Sequence, residues 1–285
     1  MSSYALDLEI TAEVAELRSA DLWDLGASGV EVRDGETTPM PGEAPPPGRT
    51  ILVGWFSDRG DAERAAGLLG GRLREVPDQD WGEKWREGLA PISVGRVFVR
   101  PSWVAAGAPP GAVEVVLDPG MAFGTGSHPT TALCLATLSE LFAEDRGASV
   151  LDVGTGSGLL AIAARKLGAR EAHANDVDPV AVEVARENAV RNGVEVHVSG
   201  APLSSLPGRF DVVVANILAN TLVELAGEVA SHLAPGGTAI LSGILTPQEA
   251  VVRRAYVAAG LRPLEDLDRR DGEWSLLAFG RKLAE

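Results

Sequence analysis

The chain has 285 residues, 45% of them hydrophobic, and a formal net charge of −15. That much apolar material fills a buried core without disulfides or a structural metal, and Cys134, with no second cysteine in the chain, forms no internal bridge. The acidic balance repels phosphate backbones, so direct nucleic-acid binding is not expected, and it favours a basic partner or plain solubility.

The four histidines show no zinc-like spacing with cysteine. The opening residues lack a basic start followed by an apolar run, and no apolar stretch approaches a membrane span. A cytoplasmic location and no membrane partner are expected.

Tyr4 to Ile10 alternates apolar and polar residues as a half-buried strand does. Thr11 to Leu25 reads as a helix with Val14, Leu17, Leu22 and Leu25 near one face, stopped by Gly26. Val30 to Arg33 is a short strand, and Gly35 to Thr50 a proline-rich loop. Ile51 to Phe56 is a strand, Asp61 to Leu69 a helix, and Arg72 to Val76 a last strand. The order β-α-β-β-α-β predicts a small α+β ferredoxin-like domain over residues 1–76. Residues 77–90 read as a linker, in which Trp81 and Trp85 share a helical face and either pin the linker to a domain or meet a partner.

Residues 91–285 form the second predicted domain. After strands and turns up to Leu117, short apolar strands alternate with helices. Strands are expected at Val150–Val153, Ala172–Asn175, Val194–Val198, Phe210–Ala215, Thr238–Leu241 and Trp274–Phe279. Helices are expected at Leu159–Leu167, Pro179–Arg191, Ile217–Leu233 and Pro247–Ala259. This alternation predicts an α/β, doubly wound, mostly parallel sheet with its functional loops on one edge.

Four segments carry the chemistry. Asp152-Val-Gly-Thr-Gly-Ser-Gly158 lies between a strand and a helix, where glycines turn the chain and admit a ligand to the backbone. Its spacing places Gly154, Gly156 and Gly158 in G-x-G-x-G, not the G-x-G-x-x-G of a pyrophosphate cradle. Asp176 ends the next strand about 20 residues beyond Gly154, the separation of a ribose-binding carboxylate; that contact suits NAD and S-adenosylmethionine alike. Asp178 precedes Pro179 and reads as a helix cap. Asn216 ends the strand from Phe210, across the cleft from the glycines. Its amide either orients an incoming amine or caps the next helix. Asp118 to Thr131 is rich in glycine and hydroxyls and suits a lid over a cofactor; His128 within it is either catalytic or a hydrogen-bonded structural residue.

Together DPGMAFGTGSHPTTALCL, LDVGTGSGLLAIAARKLGA, NDVDP and VVVANILAN resemble the methyltransferases that modify protein eleven of the large ribosomal subunit. DQDWGEKWREGLAPISVGRVFVRPSW, LSGIL and EWSLLAFGR extend the resemblance over most of residues 78 to 281. It implies a class I methyltransferase sheet of seven strands with one antiparallel near the end, and a first domain that recognises the substrate. It further implies S-adenosylmethionine as cofactor, contacted by Thr131, Gly154, Gly156, Asp176 and Asn216, with Phe123 and His128 near the methionine moiety or the amine. Asn216 is then the catalytic residue, no metal is needed, and the substrate is a basic large-subunit ribosomal protein methylated on lysine and N-terminal amines by a monomeric enzyme. Where many amino-methyltransferases carry an aromatic after this asparagine, the chain has Ile-Leu-Ala, which implies a roomier amine pocket. The alternatives are the same cofactor with another protein, RNA or a small molecule, an NAD-dependent oxidoreductase, and a non-enzymatic module with a vestigial site.

Overall fold

The computed structural model describes residues 3–11, 14–27, 29–33, 49–76, 90–118, 128–143 and 147–283. Most of the proline-rich loop, the tryptophan pair at 81 and 85, and Phe123 lie outside the described residues. The chain divides into two compact units, Met1–Gly88 and Leu89–Glu285.

In the first unit β1 (Ser3–Ile10), α1 (Ala15–Asp24), β2 (Gly29–Arg33), β3 (Thr50–Phe56), α2 (Arg59–Leu69) and β4 (Arg72–Val76) follow in order. The strands form one antiparallel sheet, β2-β3-β1-β4, which is the ferredoxin-like order. Leu6 and Leu8 of β1 and Leu52 and Phe56 of β3 lie at alternate positions and share a core with Leu22, Ala62 and Ala65 of the helices. Asp58 caps α2 by accepting from the Asp61 amide at 3.0 Å. α1 begins later than its periodicity predicts, because the Thr11 carbonyl accepts from the Val14 amide in a preceding turn.

The second unit opens with a small sheet, β5 (Ile92–Val94), β6 (Val97–Arg100) and β7 (Val113–Val116), followed by α3 (Pro129–Leu141). Then come β8 (Ser149–Val153), α4 (Leu159–Lys166), β9 (Glu171–Asn175), α5 (Pro179–Arg191), β10 (His197–Ser199) and β11 (Phe210–Asn216). The chain ends with α6 (Ala219–Glu224), α7 (Ala226–His232), β12 (Leu233–Leu245), α8 (Glu249–Ala258), β13 (Arg262–Pro263), β14 (Arg269–Asp271) and β15 (Trp274–Gly280).

The main sheet runs β10-β9-β8-β11-β12-β15-β13, with β14 paired on β15. Pairings from β10 to β12 are parallel, and β15 is antiparallel to β12. Both faces are buried. Val150, Val212, Val214 and Ile240 enter the core under α3 and α4. Leu151, Val213, Ala215 and Leu241 enter the core under α6, α7 and α8. A strand covered on both faces must be apolar throughout, which is why these segments read as short unbroken hydrophobic runs.

The order of strands reverses between β8 and β11, so their carboxyl ends diverge into a crevice. At the opposite ends the two strands are tied together: the Ser149 amide and hydroxyl donate to Asp211 Oδ2 at 2.9 and 2.8 Å, and the Asp211 amide donates to Ser149 Oγ at 3.0 Å.

Some elements differ from those expected. β10 is confined to His197–Ser199 because the Val194 amide still donates to the Ala189 carbonyl, so that residue belongs to the exit of α5. The helix expected from Ile217 starts at Ala219 and is divided at Leu225; Leu218 keeps an extended backbone (φ −57°, ψ 141°). β13 and β14 are too short to show a periodicity of their own.

Candidate active site

The crevice is built from the carboxyl ends of four strands. Leaving β8, the chain turns back over β9, and the Gly154 and Thr155 amides both donate to the Asn175 carbonyl at 2.8 and 3.0 Å. The turn needs a left-handed backbone at Gly154 (φ 69°). A Cβ there would also sit 2.3 Å from Ile217 Cγ2, so β8 and the exit of β11 approach each other through the space glycine leaves. Gly243 does the same from β12, since its Cβ would lie 2.2 Å from the Ile217 carbonyl oxygen. These contacts hold Ile217 between two backbones and explain why the helix begins after it.

Asp176 follows β9. Its Oδ2 accepts from the Gly156 amide at 2.9 Å and its Oδ1 from the Asp178 amide at 3.1 Å. The carboxylate is thus fixed on the wall of the crevice with one backbone donor on each oxygen, and each oxygen keeps capacity for another. Asp178 accepts from the Val180 amide at 2.8 Å and caps α5, with Pro179 in the first turn. The two neighbouring aspartates therefore divide into a wall residue and a cap.

Across the crevice, Asn216 Nδ2 donates to Thr131 Oγ1 at 3.1 Å. With the amide nitrogen turned to α3, the carbonyl oxygen Oδ1 is the group offered as acceptor. His128 caps α3: its Nδ1 lies 2.8 Å from Thr130 Oγ1, and the Thr130 amide donates to it. The imidazole also meets the indole of Trp274 edge-on, with centroids 4.8 Å apart. This cap is the structural role considered for His128, and the ring nonetheless lines the crevice.

Under the glycine loop lies Asp152, 1% exposed. Its Oδ2 accepts from the Thr155 hydroxyl at 2.6 Å and from the Ala161 amide at 3.2 Å, while Oδ1 is buried with no partner among the described residues. Burial pushes its carboxyl up to about 7, against the pull of those two donors, and the nearby Asp176 charge adds to the rise. The neighbouring Cys134 thiol is also raised by burial and is inert at neutral pH.

The crevice has a volume of about 820 Å³. Its lining brings together Thr131, Gly154, Gly156, Asp176, Asn216 and His128, all six of the described residues expected there. It also includes Trp274, Leu203, Ser204 and Gly243, which the sequence reading did not place in the site. Trp274 had no local signal: it opens a strand far along the chain and reaches the site because β15 lies beside β12. Among the described residues there is no cluster of three or more His, Cys, Asp or Glu side chains able to hold a metal ion.

Comparison with known proteins points to one family. The family described as Ribosomal protein L11 methyltransferase (PrmA) matches residues 57–282. A relative from Myxococcus xanthus, named Ribosomal protein L11 methyltransferase, is 45% identical over 95% of this chain and 96% of its own. One of the same name from Geobacter sulfurreducens is 51% identical over 72% of this chain and 67% of its own. A crystal structure of a ribosomal protein L11 methylase from Lactobacillus delbrueckii subsp. bulgaricus superposes with a TM-score of 0.62 at 36% identity, covering 67% of this chain and 98% of that one.

Proposed function

The chain belongs to the ribosomal protein L11 methyltransferase family, and on that premise we propose that it transfers methyl groups from S-adenosylmethionine to lysine side chains and the N-terminal amine of ribosomal protein L11. The observation that carries the reading is the placement of Asp176 and Asn216 on opposite walls of one crevice. The donor set fits the cofactor. Asp176 has acceptor capacity left on both oxygens for a ribose diol, Val177 and Leu203 give apolar surface beside it for an adenine, and the glycine loop brings backbone close to the ligand. Thr131, Gly154, Gly156, Asp176 and Asn216 are the residues that would hold it, with His128 at the acceptor end; Phe123 is assigned to that end from the sequence alone.

Bound S-adenosylmethionine supplies a methyl group activated by its sulfonium. The protein's share is to present a neutral amine in line with it. A lysine amine has an ordinary pKa of ~10.4, and an apolar cleft favours its neutral form. Asn216 Oδ1 accepts an N–H of that amine and turns its lone pair toward the methyl. Thr131 keeps the amide from rotating away. Trp274 and His128 wall this end, so the aromatic surface missing after Asn216 is supplied from another strand. Alignment of this kind accounts for a large part of the rate gain in such transfers.

Every described residue lining the crevice lies in the second unit, which leaves the first for recognition of a basic ribosomal protein, aided by the net charge of −15. We place the enzyme in the cytoplasm as a monomer without direct nucleic-acid contacts. Among the described residues no helix is long and apolar enough to cross a membrane. Incubation of the enzyme with cofactor and purified L11, followed by peptide mass spectrometry, is expected to find methylated lysines and a methylated N-terminus. L11 left unmodified by an enzyme that binds S-adenosylhomocysteine would move the substrate to another molecule.

A further inference from the structure

Asn188, on α5, is fully buried and does not line the crevice. Its side chain joins two separate pieces of chain. Nδ2 donates to the Ser157 carbonyl at 2.9 Å and to the Asp118 carbonyl at 3.2 Å. Oδ1 accepts from the Asp118 amide at 3.1 Å and from Arg191 Nη1 at 2.6 Å.

One helical turn on, Asn192 treats Val116 in the same way: Oδ1 accepts from its amide at 2.8 Å and Nδ2 donates to its carbonyl at 2.7 Å. Four residues of helix rise about 6 Å and two residues of strand about 6.6 Å. The two amides therefore match alternate residues of β7 and its extension as a neighbouring strand would. Asp118 is fixed by its side chain as well, accepting from the Ser102 amide (2.9 Å) and hydroxyl (2.7 Å) and pairing with Arg191 at 3.2 Å.

Of the two amides, Asn188 alone reaches the glycine loop. A trans peptide points its carbonyl and the next amide in opposite directions. The unit between Ser157 and Gly158 is held at both ends, its carbonyl by Asn188 and its amide by the Thr155 carbonyl at 3.0 Å. Rotation of this peptide would break the turn that carries Gly156 to Asp176.

We propose that Asn188 is a positioning residue for the cofactor: it sets the peptide after Ser157, and through it the glycine loop, without touching the ligand. The inference rests on the reading that this loop holds S-adenosylmethionine. Asn188→Asp is nearly isosteric but replaces both N–H donors by an oxygen facing two carbonyls. It is expected to weaken S-adenosylhomocysteine binding at least tenfold and to raise KM for S-adenosylmethionine alike, with kcat at saturating cofactor within about threefold. Asn192→Ala removes the equivalent clamp that does not reach the loop; its Tm falls while its affinity stays within about twofold of wild type. Should Asn188→Asp not fold, Asn188→Ala carries the same expectation.

Titration calorimetry of wild type, both Asn188 variants, Asn192→Ala and Asp176→Ala decides the matter. Wild-type affinity in a folded Asn188 variant, or an equal loss in Asn192→Ala, overturns the proposal. Failure of the wild type itself to bind S-adenosylhomocysteine would remove the cofactor reading beneath it, a result distinct from either.

Discussion

Asn216 and Thr131, 85 residues apart in the chain, meet through a hydrogen bond of 3.1 Å from the amide nitrogen to the hydroxyl oxygen. That bond decides which end of the amide an incoming amine encounters. Asn216→Ala is expected to slow methyl transfer about 100-fold in single turnover while leaving S-adenosylhomocysteine affinity within about threefold. Thr131→Val keeps the shape, frees the amide to rotate, and is expected to slow transfer about tenfold. At saturating cofactor the double variant should be no slower than Asn216→Ala, because both then act on transfer through the same oxygen. Unchanged transfer in Asn216→Ala would refute the orienting role.

Asp176→Ala should act on binding instead. It removes the acceptor assigned to the ribose and the group that receives the Gly156 and Asp178 amides. Charge-assisted hydrogen bonds contribute about 1.5–3 kcal/mol each, so a loss of affinity on the order of 100-fold is expected by calorimetry. An unaltered dissociation constant would place the ribose contact elsewhere.

Gly154→Ala tests the close approach behind the site. A side chain at φ 69° costs about 1–2 kcal/mol, and the added methyl would have to displace Ile217 Cγ2. Ile217→Ala in the same chain should return the steric part of the loss and leave the backbone part. Thermal melts of the two single variants, the double variant and the wild type check this. Equal destabilisation by Gly154→Ala in both backgrounds would show that the contact with Ile217 is not what glycine accommodates.

Asp152 gives the protein a pH dependence of opposite sign to that of an ion-paired carboxylate. Its folded-state carboxyl is raised to about 7 from an ordinary 3.8. Between those values the folded chain binds a proton that the unfolded chain has lost, so stability falls as pH rises through this window and levels off above it. The span is at most about 4 kcal/mol. Asp152→Asn removes the ionisation and should raise stability at pH 8 relative to wild type more than at pH 5. Urea melts at the two values measure it, and equal differences would show that Asp152 is ionised throughout.

The parallel sheet and much of the lining of its crevice were legible because their determinants are local. Unbroken apolar runs such as Val212 to Ala215 mark strands covered on both faces, and the glycines, Asp176 and the Asp178-Pro179 cap each follow directly from a strand end. What was not legible depends on contacts between distant residues. The delayed start of the helix after Asn216 is set by Gly154 and Gly243 closing on Ile217. Trp274 enters the site through the pairing of β15 with β12. Asn188 sits in an ordinary amphipathic helix and Asn192 at its C-terminal cap, and nothing in that pattern reveals that their amides complete the edge of a strand.

The reciprocal bonds between Ser149 and Asp211 bear on how a ligand comes and goes. They fasten β8 to β11 at the end remote from the cleft, and the parallel ladder from Val150–Val212 to Val153–Ala215 continues the join up to the rim, so spreading of these two strands is no route for a ligand to leave. Exchange must then be governed by the loops at the open rim, and its rate should follow substitutions there while ignoring those that soften the middle of the sheet.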